Sequence, residues 1–578
     1  MSKGSTVLGG IDPARFEVVK NALSAAAEEM KIVLAKTAYS PLLKVAGDYS
    51  CGIFDRAGNM VAQGPDLPIH LGSMPDAVRA IVAAFPDAVP GDVFIHNDPY
   101  QGGSHLPDVN VVAPAFAGEV LLGFGCVRAH WPDIGSATPG SYGAVTEIYG
   151  EGLRIPPVRL YRAGQPDPAI EAIIMANVRT PSERMGDLRA QVAANRRAGQ
   201  RLEALARKYG TDELLRIMDT VLSYSETMMR AALRALPDGE VTVTDTIDGD
   251  GVILPGHSTD EQFSLRLTIR KKGDTIEADF TGSDPAVPGP MNAPLTVTAS
   301  GVFCALKMIA DPNSLIPPNS GCWRAVKVIA DPGSVVHAQL PSPVVYANHE
   351  MSHRVAELVM KAMFHITPGN VFAGSQGTSA VVTFGGLDPR TRERFVSYES
   401  LKGGYGARPT KDGINVVAST VSNMMNTPIE VLEMSFPLRV EEYSVIPDSG
   451  GAGTYRGGLG ARRVWRILGE QAHAATCCER TVTAPFGLAG GQDGAPARLT
   501  MELPDGSTRA LNGKGGFIAP HGARIVVEAP GSGGYGPPSG RDPARLREDI
   551  ADGYVSLAAA RAQYGLKENV ASKEPHER

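Results

Sequence analysis

Cysteine, charge of one sign and long apolar runs are all scarce in this 578-residue chain, and each scarcity excludes something. Its 6 cysteines (Cys51, Cys126, Cys304, Cys322, Cys477 and Cys478) form no Cys-x-x-Cys pair. Cys477 and Cys478 are adjacent, which is poor geometry for a thiolate zinc site. In so long a chain they do not read as a disulfide framework, so buried small hydrophobes and a cytoplasmic setting are expected. Basic residues number 55 and acidic residues 62, with no block of five or six like charges, so a nucleic-acid partner is not expected. No stretch reaches the roughly 18 apolar residues of a membrane span. The nearest, 299–310, is interrupted by Lys307, and the first residues have no signal-peptide core, so no membrane partner is expected either. Nucleotide fingerprints are missing as well. At Gly513-Lys514 a P-loop would need Gly where Thr508 stands and Ser or Thr where Gly515 stands. No Gly-x-Ser-x-Gly elbow occurs, which disfavours serine hydrolase chemistry.

What is present is glycine (65) and proline (44) in a chain that is 43% hydrophobic, the mark of a loop-rich globular protein. Asp12 and Pro13 open a helix whose Val19, Leu23, Ala26, Met30 and Leu34 repeat at helical spacing. Residues 50–63 read as a hairpin, and 74–85 as a helix. Residues 91–147 alternate short apolar strands with long polar loops, and 120–127 reads as a strand buried on both faces. Residues 181–236 read as two helices, 265–280 as a hairpin, 344–366 as helix, and 437 onward as short strands before a last helix near 543–564. The expected fold class is α+β, mixed and multi-lobed. An N-terminal metal-binding α/β lobe (1–236), helical toward its end, precedes a mixed middle lobe (237–436) and a β-rich, Gly-rich C-terminal lobe (437–578).

The polar residues that carry chemistry gather in two loops. One holds Asn97-Asp98-Pro99-Tyr100 and Ser104-His105-Leu106-Pro107-Asp108; the other holds Arg128-Ala129-His130-Trp131-Pro132-Asp133. His105 and Asp108 are three apart, which suits one side of a turn, and His130 closes a buried strand. Two imidazoles and a carboxylate on Pro/Gly-shaped loops suit a divalent cation, although Asp108 and Asp133 also fit plain turn-capping roles. His70 lies at an apolar helix entry, and Asp48 precedes a strand. Three Gly-rich segments, 449–453, 487–491 and 531–536, read as tight turns or as anion-cradling nests.

These stretches resemble the hydantoinase B / 5-oxoprolinase B-subunit family, and the resemblance extends along most of the chain. It is carried by His70-Leu71-Gly72-Ser73-Met74, by Asn97 to Asp108, by Arg128-Ala129-His130 and by Glu147 with Glu151-Gly152-Leu153-Arg154. Gly186-Asp187-Leu188-Arg189, Asp279-Phe280-Thr281-Gly282, Asn319-Ser320-Gly321 and Pro447-Asp448-Ser449-Gly450 continue it. The resemblance implies a B-type subunit of an ATP-dependent hydrolase of cyclic amides such as hydantoin, 5-oxoproline or lactams. A hydantoinase A-type ATPase partner would bind ATP and Mg2+ and phosphorylate the substrate carbonyl. The implied metal ligands are His105, Asp108, His130 and Asp48, with Zn2+ or Mn2+ as the ion. Asp133 or His70 would orient or deprotonate water. Glu147, Arg128 and Arg154 would contact substrate or phosphate. Where family members carry a His-rich stretch, residues 418–428 here are small or apolar, which implies a more apolar substrate pocket. The alternatives are a subunit of an acetone- or acetophenone-type carboxylase and a non-catalytic scaffold for the ATPase.

Overall fold

The computed structural model describes residues 8–70, 72–259 and 261–567. Leu71 of the His70–Met74 stretch thus lies outside the described residues. The first helix, α1 (Pro13–Thr37), starts where its cap and proline place it, with the Asp12 carboxylate accepting from the Arg15 amide at 2.9 Å. Then come β1 (Tyr49–Phe54), β2 (Met60–Gln63), α2 (Met74–Ala84), β3 (Val93–His96), β4 (Asp108–Ala117) and β5 (Val120–His130). They are followed by β6 (Val158–Arg162), β7 (Gln165–Pro166), α3 (Pro168–Ala176), α4 (Pro181–Tyr209) and α5 (Thr211–Arg234). The seven strands make one antiparallel sheet in the order β2-β1-β5-β4-β3-β6-β7.

Both faces of this sheet are covered. Phe16, Leu23 and Met30 of α1 join Leu188, Val192 and Leu202 of α4 in a cluster with Ile53, Val111 and Val127. Met74, Val78 and Ile81 of α2 pack with Phe54, Phe94, Phe124 and Cys126 on the other side. This explains the near-continuous burial of β5, whose apolar run shows no alternation. In the β4–β5 register Asp108 faces His130, so two sheet-end residues from different loops arrive side by side.

The chain continues through β8 (Gly239–Ile247), β9 (Phe263–Lys272), β10 (Thr275–Asp279), α6 (Leu295–Ala310), β11 (Val326–Ile329) and α7 (Glu350–Phe364). A second sheet runs β11-β10-β9-β8, and α6 and α7 pack together, with α7 lying against β8 and β9. Helix was expected over 344–366, but α7 starts only at Glu350. Residues 344–349 are instead turns that bring Asn348 and His349 against the first sheet.

Beyond it lie β12 (Val381–Leu387), β13 (Arg394–Ser400), α8 (Ile429–Ser435), β14 (Leu438–Val445), β15 (Ala461–Ile467) and β16 (Gln471–Cys477). The last elements are β17 (Arg498–Glu502), β18 (Thr508–Ala510), β19 (Lys514–Pro520), β20 (Arg524–Glu528), α9 (Pro543–Ala551) and α10 (Leu557–Tyr564). They form sheets β13-β12-β16-β19 and β14-β15-β20-β17-β18. The single last helix expected from sequence is two, separated at Gly553 with φ 74°.

The Gly-rich segments are neither open nests nor simple turns. Their backbones pack on one another: a Cβ on Gly531 would lie 1.8 Å from the Ser449 carbonyl oxygen, and one on Gly533 1.9 Å from that of Phe486. Their amides are also spent, with Gly451 donating to Ser532 and Gly533 to Gly374, each at 2.8 Å. Glycine is needed there because main chains touch. All six cysteines are free and buried, and no helix among the described residues is long and apolar enough to cross a membrane.

Candidate metal centre

Asp108, the first residue of β4, is the hub of a fully buried polar cluster. Its Oδ2 accepts from the Ser104 hydroxyl at 2.6 Å and from the Asn348 amide at 3.1 Å, and lies 3.5 Å from His70 Nε2. Its Oδ1 lies 3.1 Å from His105 Nε2 and 3.4 Å from His130 Nδ1. Neither that oxygen nor either His130 nitrogen has a hydrogen-bond partner. His105 directs Nδ1 at the Val345 carbonyl, 3.1 Å away. A carbonyl can only accept, so Nδ1 carries the proton and Nε2 keeps its lone pair for the cluster.

His349 joins them. One ligand atom from each of His105, His130 and His349 lies within 4.8 Å of the others, and the ring centroids are 5.1–5.6 Å apart. Its Nε2 also reaches the Tyr398 hydroxyl at 3.4 Å. Tyr142, Tyr346 and Tyr398 stand around the histidines as a buried aromatic wall. Asp48 is tied to the cluster through its carbonyl, which accepts from the His130 amide at 3.0 Å. With His70, Asn348 and His349 it lines a cavity of about 20 Å³, which Val421, Ser422 and Met424 close from the low-histidine 418–428 stretch. That is room for one water-sized occupant.

The electrostatics suit a cation. Burial lowers His130 to about 4, so its imidazole is neutral and one of its ring nitrogens offers a lone pair. Burial, then the charge of Asp108, raise Asp48 to about 8 against the pull of Lys402. Carboxylate crowding of this kind is relieved by a bound cation. Unpartnered buried donor atoms, three imidazoles and neighbouring carboxylates together fit a divalent metal.

Of the other expected site residues, only His70 stays at the cluster. Asp133 accepts from the backbone amide and the guanidinium (3.1 Å) of Arg179 and from the Thr180 amide (3.3 Å), at the start of α4. His70 holds Ser50 through Nδ1 at 2.8 Å and faces Asp108 with Nε2, so it buttresses the hub. Arg128 is fully buried and spends its guanidinium on Asn110 (Nε, 2.8 Å) and Ser73. Arg154 lies 3.6 Å from Asp98 and over the Tyr149 ring, partly exposed. Glu147 is exposed on a separate cleft of about 720 Å³ whose lining includes none of the clustered histidines.

Sequence reasoning missed His349. The signal for it is His349-Glu350-Met351-Ser352-His353, a His-Glu-x-x-His string. The string is not used here as it is in metallopeptidases. Glu350 accepts from the Ser379 and Glu479 amides at 3.2 and 3.0 Å, and His353 pairs with Ser379.

A family model described as Hydantoinase B/oxoprolinase matches residues 12–538. The putative B subunit of a D-/L-hydantoinase from a Pseudomonas species is 33% identical, with 98% of this chain and 97% of that protein covered. The beta subunit of caprolactamase from Pseudomonas jessenii is 33% identical over 96% of both chains. The crystal structure of the ATP-dependent caprolactamase from that organism superposes with a TM-score of 0.88 over 98% of both chains at 31% identity. Acetone carboxylase in its nucleotide-free form shares the fold at 19% identity, with a TM-score of 0.89 over 96% of this chain and 79% of that one.

Proposed function

This chain belongs to the Hydantoinase B/oxoprolinase family, and from that premise we propose that it is the metal-dependent B-type component of an ATP-dependent cyclic-amide hydrolase. The observation that carries the reading is the meeting of His105, Asp108, His130 and His349 around unpartnered donor atoms. A lactam or hydantoin carbonyl is a poor electrophile because its nitrogen donates into it, and neutral water is a poor nucleophile. Coupling to ATP addresses the first problem. A divalent ion, Zn2+ or Mn2+, addresses the second by lowering the pKa of bound water toward ~7.

The chain's own residues prepare this site. Ser104 and Asn348 occupy one Asp108 oxygen and leave the other free. The Val345 carbonyl fixes the His105 tautomer, and the tyrosine wall excludes bulk solvent. Asp48 is the further carboxylate of the cavity. ATP and Mg2+ belong to an A-type partner in this reading, which fits a sequence with no P-loop. The low-histidine stretch at 418–428 places Val421 and Met424 at the cavity and favours an apolar ring.

The test is the chain co-purified with its A-type ATPase partner, assayed with hydantoin, 5-oxoproline and caprolactam, with and without bicarbonate. ATP-dependent ring opening that ignores bicarbonate is expected. ATP turnover that requires bicarbonate with a ketone present would assign the chain to the carboxylases instead. Ring opening that persists at the wild-type rate in His105→Ala would leave only a scaffold role.

A further inference from the structure

Water that attacks a carbonyl must be held and must lose a proton. In the sequence, Asp133 and His70 are the residues nearest that task. In the fold, Asp133 is committed to Arg179 and Thr180, and His70 to Ser50 and Asp108. One imidazole on the cavity wall is uncommitted. His353 is 1% exposed and lines the cavity of about 20 Å³ together with Asp48 and His349. Its Nε2 lies 3.1 Å from the Ser379 hydroxyl, while its Nδ1 has no hydrogen-bond partner. A buried, unpaired ring nitrogen is costly unless a ligand satisfies it. A cavity of this volume admits a single water.

We propose that His353 is the water-positioning residue of the hydrolytic site, its Nδ1 accepting a hydrogen bond from the water that serves as nucleophile. The assignment rests on the cyclic-amide reading above only for the identity of the electrophile. With Nε2–H donated to the Ser379 hydroxyl, Nδ1 presents its lone pair. As the water oxygen bonds to the carbonyl carbon, whose oxygen carries the phosphoryl group supplied through the A-type partner, one water proton passes by way of Nδ1 to the ring nitrogen. The C–N bond then breaks with its electron pair on nitrogen, which takes the second proton of the same water, so the imidazole ends neutral. The acyl phosphate left behind gives carboxylate and phosphate with a second water.

The surroundings agree. Ser379 is held through its amide by Glu350 at 3.2 Å, and its carbonyl accepts from Ser400 at 2.8 Å; Ser400 in turn accepts from Lys402 at 3.1 Å. The partner of His353 is therefore fixed from two sides. The titratable groups lining the same cavity with His353 are Asp48, His70, His349 and Tyr398, and Lys402 sits behind Ser400. Burial, then the nearby Lys402 ammonium, hold His353 at about 3, so the imidazole is neutral and accepting throughout the working range.

The test loads the full chain with Co2+ and follows its visible absorption from pH 5.5 to 9.5, beside turnover of the assembled complex. His353→Ala should keep one Co2+ per chain and raise the spectral midpoint by at least half a pH unit. Its kcat should fall by roughly 10²-fold with KM unchanged. His353→Gln, which keeps an acceptor, should restore part of both. Identical spectral titrations in wild type and His353→Ala at equal Co2+ content would overturn the assignment, and so would loss of the metal in His353→Ala. The spectral readout does not depend on the amide: a wild-type complex that opens no cyclic amide, beside a His353→Ala midpoint that is still raised, would reject the function and keep the residue's role.

Discussion

At the scale of single residues, the site sorts side chains by whether their hydrogen-bonding capacity is already used. Asp108, His105 and His130 were legible in the sequence because they sit in polar, Pro/Gly-shaped loops where chemistry concentrates. Asp133 looked equivalent to Asp108, yet its carboxylate stitches the loop after β5 to the start of α4. Spacing alone does not separate a carboxylate that caps a chain turn from one left with a free oxygen. The difference is measurable. Asp133→Ala should lower stability by about 1–3 kcal/mol in urea unfolding, since buried amides lose their acceptor. Its bound metal, read by elemental mass spectrometry, should match wild type. Metal loss with unchanged stability would place Asp133 in the site instead.

At the scale of elements, the strand pattern was readable and the turn before α7 was not. The hairpin of β1 and β2, the doubly buried β5 and the long α4 and α5 all follow from periodicity, although neither helix has a side-chain cap at its start. The entry to α7 misled because 344–349 holds apolar residues and no strong stop signal; tertiary contacts, not propensity, keep it out of the helix. The helix is then locked on its far side by ions. Arg354 bonds Asp245 at 2.8 Å and Glu479 at 2.5 Å, and Arg480 bonds Glu357 at 2.6 Å. Burial works to raise the Asp245 carboxyl, but Arg354 and Arg480 outweigh it and hold it at about 2. A carboxyl lowered in the fold stabilises above its unfolded value near ~3.9, and that gain is lost as pH falls toward the folded value. Comparing wild type with Asp245→Asn should therefore give a difference of roughly 2 kcal/mol near pH 6 that falls by about half at pH 3. A difference independent of pH would show that the pair contributes shape and not charge.

At the scale of the whole molecule, the first sheet supplies Asp108 and His130 from adjacent strand ends, and the segment before α7 supplies Asn348 and His349 from more than two hundred residues away. Such convergence is not visible in one dimension, because Asn348 meets His105 and Asp108 only once the turn before α7 packs on the loop before β4. In the Gly-rich C-terminal segments main chain packs on main chain, and the amides of Gly451, Gly533 and Gly534 donate to carbonyls of neighbouring segments. The cation is the central requirement of the proposed site. Elemental mass spectrometry of the purified complex should find one Zn2+ or Mn2+ per chain in wild type and almost none in His105→Ala, with the far-ultraviolet circular dichroism of the two unchanged. Equal metal in both, or none in a wild-type complex that opens the ring, would contradict it.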